Sequence, residues 1–146
     1  MIAGPLSLLL HLLASLSFLG IIWYVQLISY PQMRNVDVHD WKIYSAEHTK
    51  RSFWLIAPLF VAETISTIGI TMYYWDTTPI LLIVNAAMYA IAYGFTFGVH
   101  MPLHRLLGTS HQQKWIEQLI AKNWWRTFGW TVKGAVALLM TANLLF

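Results

Sequence analysis

Four long apolar runs decide what this chain can fold into. They cover residues 5–30, 52–75, 79–100 and 127–146, each 20 to 26 residues long. At ~1.5 Å rise per residue, a helix of that length spans the ~30 Å hydrocarbon layer of a bilayer. Backbone groups in lipid must find their partners within the segment, so these runs are helices rather than strands. The charge content agrees. Only 10% of the 146 residues are charged and 58% are hydrophobic, whereas a water-soluble domain carries roughly 25% charged residues. So few charges cannot coat a globule in water, and so apolar a chain is not disordered. The sequence predicts an all-α, four-transmembrane-helix antiparallel bundle, a single integral membrane domain over 1–146. Cysteine is absent, which excludes disulfides, thiolate catalysis and Cys-ligated metal clusters.

The first run has no basic residue before it and exceeds the ~7–15-residue core of a signal peptide, so a retained helix is expected. Orientation follows from the loops. Arg34, Lys42, Lys50 and Arg51 lie between runs one and two, and Arg105, Lys114, Lys122 and Arg126 between three and four. The connection Asp76-Thr77-Thr78 has no basic residue. The positive-inside rule then puts both long loops in the cytoplasm and both termini outside, in a bacterial inner or other energy-transducing membrane. The net charge of +3 is explained by this topology and by anionic lipid, without nucleic acid. Trp23, Tyr24, Tyr73, Trp75, Trp115 and Trp125 read as interfacial anchors. A short interfacial helix is expected in each cytoplasmic loop, one capped by Asp37 and carrying Trp41, Tyr44 and His48 on one face, the other capped by Ser110. Pro31 is expected to end the first span, Pro102 to bend or end the third, and Pro58 to kink the second. No internal repeat is visible.

Polar residues within the runs carry the functional information, because each is costly in lipid unless paired or wet. Glu63 falls near the middle of the second run, and Lys133 lies about four residues, roughly 5 Å, from the middle of the fourth. They can meet as a buried pair that fixes helix register; alternatively Glu63 accepts protons or ligates a metal. His11 reads as a hydrogen-bonded core histidine, with haem or chlorophyll ligation as the other reading. Asn85 and Asn143 are expected to bond between helices. A denser group gathers where the basic loops meet the bundle: Gln26 and Tyr30, Tyr44, His48 and Arg51, His100 and His104, then Asn123, Trp124, Arg126 and Thr127. His100 and His104 have the i, i+4 spacing that aligns two imidazoles. With His48 they would form a ligand set for iron, copper or zinc; otherwise they meet lipid phosphate. No phosphate loop, G-x-S-x-G or dinucleotide fingerprint is present.

Two stretches carry a resemblance. The run His100-Met-Pro-Leu-His104-Arg105 and, some 18 residues on, Asn123-Trp-Trp-Arg126-Thr127 resemble a group of small four-span bacterial and fungal membrane proteins that includes the anthrone oxygenases. Tyr30-Pro31 after the first span also fits, and Tyr44-x-x-x-His48-x-x-Arg51 with Pro58 and Glu63 is similar to an uncharacterised bacterial subgroup. Many members of the group have Asn where this chain has His104.

The resemblance implies an oxidoreductase or oxygenase acting on a lipophilic aromatic or quinone-like substrate at the cytoplasmic membrane face. Removing an activated C–H proton there requires a base, His48 or His104. A cation, Arg126 or Arg51, would hold the oxyanion, with Glu63 a further acid–base group. Gln26, Tyr30 and Asn123 would orient a carbonyl, and Tyr44 and Trp124 would stack on rings. The alternative is a non-catalytic or pigment- or haem-binding subunit of a larger membrane complex, or a homo-oligomer, in which these side chains lock helix packing.

Overall fold

The computed structural model describes residues 2–145. Among them it contains four long helices and no strand. We label them α1 (Ala3–Asn35), α2 (Trp41–Tyr74), α3 (Pro79–Thr109) and α4 (Gln113–Leu145). α1 packs closely on α2, α3 on α4, and α4 closes back on α1, giving an up-down-up-down bundle whose diagonal pairs meet through side chains. By length and hydropathy α1, α2 and α3 can each cross a membrane, the make-up of an integral membrane protein. The fourth helix is comparably long and continuous, and carries Lys133 and Asn143 within its apolar run.

The helices overrun the apolar runs, and this corrects the expected loop helices. Residues from Trp41 onward belong to α2 and those from Gln113 onward to α4, because no glycine or proline separates each predicted short helix from its span. Lys, Glu, Gln and Arg in those stretches are good helix formers in their own right. Asp37 accepts a bond from the His39 amide at 2.8 Å in a local turn, and Asp40 occupies the N-cap position. Ser110 terminates α3 in extended conformation rather than capping α4.

Pro31 and Pro102 end neither helix. Each is preceded by a wide π-helical turn, Val25–Ser29 in α1 and Thr96–His100 in α3. A proline lacks the amide proton and its ring presses on the carbonyl four residues back, and a five-residue-spaced turn relieves both problems without stopping the helix. The two turns sit at the same offset from their prolines. They bury Gln26 and Ser29 on α1, and Thr96 and His100 on α3. α2 stays continuous across Pro58.

Four layers fill the interior. At the α2–α3 connection Leu8, Ile70, Leu82, Val136 and Met140 pack together. A polar layer follows, then Phe18, Ile22, Ala92 and Trp130, with Phe18 stacked on Trp130 at 4.0 Å. At the other end lie Tyr30, Met33, Trp41, Leu103, Leu107, Ile116 and Leu119. There Trp41 donates to the Leu107 carbonyl at 2.6 Å, and Arg34 grips Glu117 through two bonds of 2.8 and 2.6 Å. That guanidinium holds the Glu117 carboxyl below its usual range, so the small contribution of this exposed pair is present above the ordinary carboxylate pKa and is lost on acidification.

Small residues close two of the seams. A Cβ on Gly69 would stand 2.5 Å from Ser7 Oγ and 2.9 Å from Ser7 Cβ, and one on Gly129 would stand 3.3 Å from the Met88 carbonyl. Close helix approach at such positions is how membrane helices gain packing contacts. We expect Gly69→Ala to cost about 1–3 kcal/mol through overpacking, and Ser7→Gly to restore most of it in the double variant. Thermal unfolding in mild detergent checks this; equal loss in single and double variants would refute the seam argument.

The α2–α3 seam is different. Residues 75–78 join these helices at one end, Thr64 meets Tyr89 at 2.6 Å and Tyr93 donates to the Phe60 carbonyl at 3.1 Å further along, and Trp41 reaches Leu107 at the far end. Yet their backbones stay farther apart than those of α1 and α4. The hairpin is antiparallel as expected but splayed.

Candidate functional site

The polar layer draws on all four helices. Lys133 forms an ion pair with Glu63 and donates to Asn85 Oδ1 at 2.8 Å. Ser15 donates to Glu63 Oε1 at 3.0 Å. His11 Nε2 lies 3.1 Å from Asn85 Oδ1, and because an amide oxygen only accepts, Nε2 carries the proton. His11 Nδ1 then faces Glu63 Oε1 at 3.4 Å and Ser66 Oγ at 3.5 Å. All six side chains are essentially inaccessible. The expected Glu63–Lys133 pair is therefore present, His11 is a hydrogen-bonded core histidine, and Asn85 bonds between helices. Asn143 instead is exposed. Ser15 and Ser66 were missed by sequence reasoning. Their only signal is spacing, i+4 from His11 and i+3 from Glu63, which places them on the same helical faces.

The second constellation surrounds a cavity of about 900 Å³ in the splayed α2–α3 seam. Its deep wall is apolar, formed by Phe18, Ile22, Val25 and Phe60; Phe53, Trp54, Phe97 and Met101 flank its side. Tyr30, His48, His100, His104 and Arg126 line its polar end. Five rings follow one another there. Tyr44 stacks on His48 at 5.8 Å and His48 on His104 at 5.8 Å. His104 lies 5.7 Å from Tyr30, and Tyr30 stacks on His100 at 6.3 Å. The Tyr30 hydroxyl and His104 Nε2 share a hydrogen bond of 3.1 Å.

The π turn explains how His100 is set. Its Nδ1 donates to the Phe95 carbonyl at 2.9 Å, so the bare Nε2 is an acceptor, buried and without a partner. Arg126, 6% exposed, is held from behind. Its Nη1 donates to Asn123 Oδ1 at 3.1 Å, and Asn123 Nδ2 donates to Gln26 Oε1 at 2.9 Å. Thr127 donates to the same oxygen at 3.3 Å, and Gln26 Nε2 donates to the Ile120 carbonyl at 3.3 Å. Arg126 Nε has no partner.

Of the expected site residues, then, Tyr30, His48, His100, His104 and Arg126 meet at the cavity. Gln26 and Asn123 stand behind Arg126, and Tyr44 behind His48. Three lie elsewhere. Arg51 is exposed and pairs with Glu47 at 3.0 Å. Trp124 is half-exposed and meets Trp23 edge-on at 5.9 Å. Glu63 belongs to the polar layer. Among the described residues no three His, Asp or Glu side chains converge as a metal site requires; His48 and His104 stack face to face, which directs their in-plane lone pairs away from a common point. The apolar walls at Phe18, Phe53, Phe60 and Phe97 were not anticipated, since an aromatic residue in a membrane run carries no sign of which seam it faces.

Comparison with protein-family models, with curated proteins and with solved structures finds no match.

Proposed function

We propose that this is a four-span integral membrane protein with both termini outside, and that it acts as an oxygenase-type oxidoreductase on a lipophilic aromatic or quinone-like substrate. The cavity supports this reading: an apolar slot facing the bilayer between α2 and α3, ending in imidazoles and a buried guanidinium. A lipid-soluble ring system can enter such a slot sideways and present its oxygen to Arg126. His48, held by Tyr44 on one side and His104 on the other, takes the proton of an activated C–H bond. The electron pair left on carbon delocalises onto the oxygen facing Arg126, where a preorganised charge in a dry site is worth most. The carbanion then adds to dioxygen, forming the C–O bond as oxygen is reduced to peroxide, and the imidazolium returns its proton to the peroxide oxygen. Tyr30, bonded to His104, orients that second imidazole.

Oxygen uptake with anthrone as probe tests the reading. His48→Ala and His104→Ala are expected to lower turnover by about 10²–10⁴ while detergent-phase unfolding temperatures stay close to the parent's. Unchanged turnover in the double variant would remove the acid–base assignment.

A further inference from the structure

We infer that the occupant of the α2–α3 cavity is an amphiphilic anion, its charged oxygen on Arg126 and its apolar body extending along the seam into the bilayer. The inference rests on the cavity being the ligand site, but not on any chemistry occurring there. It begins with a missing charge. A buried guanidinium is expensive unless an anion accompanies it, and the chain's six acidic residues are all elsewhere. Glu47 pairs with Arg51, Glu63 with Lys133 and Glu117 with Arg34. Asp37, Asp40 and Asp76 lie in the connections between helices.

The cavity repeats the imbalance. Lys42, Lys50, Arg105 and Arg126 line it, with three histidines and no Asp or Glu. Two buried polar atoms at its inner end lack protein partners: Arg126 Nε, a donor, and His100 Nε2, an acceptor. Buried polar groups in native structures are almost always satisfied. Together they suit a head that brings a charged acceptor oxygen and, beside it, a hydroxyl proton. Carboxylate, phenolate and phosphate heads all supply the acceptor. The walls set the rest: Phe18, Ile22, Phe53, Phe60 and Phe97 demand an apolar body, and the shallow packing of α2 on α3 gives that body a way in from the side. The rim cations Lys42, Lys50 and Arg105 favour approach of an anion held at the membrane surface.

The first measurement needs no variant to fold. Pyrenebutanoate and its methyl ester are titrated onto the detergent-purified full chain, read by energy transfer from tryptophan. The acid is expected to bind about tenfold tighter or more, the scale of a charge-assisted hydrogen bond. Arg126→Gln should erase that preference and leave the ester's affinity as it was. Inorganic phosphate should compete only weakly, since it brings the charge without the body. Equal binding of acid and ester would overturn recognition of the head while leaving the cavity as a site. Full displacement by phosphate would overturn the requirement for a body. Binding of neither probe would overturn both this inference and the reading of the cavity as a substrate site.

Discussion

Lys133→Met is expected to destabilise the bundle by about 3–5 kcal/mol, the usual consequence of removing one partner of a buried ion pair. Glu63 would be left at the centre of four helices with Ser15 as its donor at 3.0 Å, the unprotonated Nδ1 of His11 at 3.4 Å, and Oε2 still unpartnered. The magnitude follows from the charge rather than from the hydrogen bonds. Interhelical bonds in membrane bundles average about 0.6 kcal/mol, so losing the bond from Lys133 to Asn85 is the smaller part. Glu63→Gln in the same chain removes the stranded charge, and the Glu63→Gln/Lys133→Met variant should regain more than half of the loss. Unfolding of the single and double variants in mild detergent gives the coupling directly. If Lys133→Met unfolds like the parent, the polar layer is not what holds α2 against α4, and the packing of Phe60 on Trp130 would have to carry that role.

Much of this layer was legible in the sequence because membrane helices make polar residues conspicuous. Glu63, Lys133, His11 and Asn85 stand out in apolar runs, and depth along the span can be counted at ~1.5 Å per residue. What cannot be counted is azimuth. A π turn inserts one extra residue, which rotates everything beyond it by about 100°. Both such turns lie at the ends of apolar runs, where the polar rim begins. Pro31 and Pro102 announced a disturbance, but a stop, a bend and a widened turn look the same in sequence. Tyr30, His100 and His104 could be grouped by depth alone, their azimuth being set by the π turns; Trp124 and Arg51 share that depth on helices without such turns and face outward. The halves α1–α2 and α3–α4 also share a plan, a helix widened before an X-Pro step and followed by an unbroken helix of 34 or 33 residues, with no sequence repeat to show it. Their difference lies in the seams: α1–α4 is closed beside the cavity by Gln26, Asn123 and Thr127, whereas α2–α3 is clasped above and below it, by Thr64 with Tyr89 and by Trp41 with the Leu107 carbonyl. Pairing between helices depends on packing over their whole length, which no local motif records.

Asn123→Asp should abolish the preference for an anionic ligand without removing a single atom from Arg126. The substitution is isosteric. It keeps the acceptor that receives Arg126 Nη1 at 3.1 Å and gives it a full negative charge, so the guanidinium acquires from within the protein the counter-ion that we assign to the ligand. Affinity for pyrenebutanoate is expected to fall about tenfold or more, since a bound anion would then face a carboxylate across the guanidinium, while affinity for the ester stays unchanged. The cost elsewhere is local. The Asn123 Nδ2 donor to Gln26 Oε1 is lost, and Gln26 retains Thr127 as donor; removing one such bond is worth about 0.5–1.5 kcal/mol, so the variant should remain folded. Asn123→Leu provides the contrast, because it loosens Arg126 without supplying charge and should weaken acid binding less than the aspartate does. The decisive comparison is the double variant. Once Arg126→Gln is present, Asn123→Asp has no guanidinium to neutralise, so the two losses should not add. Strictly additive losses, or acid binding undiminished in Asn123→Asp, would mean that the unpaired charge of Arg126 is not what the cavity offers its ligand.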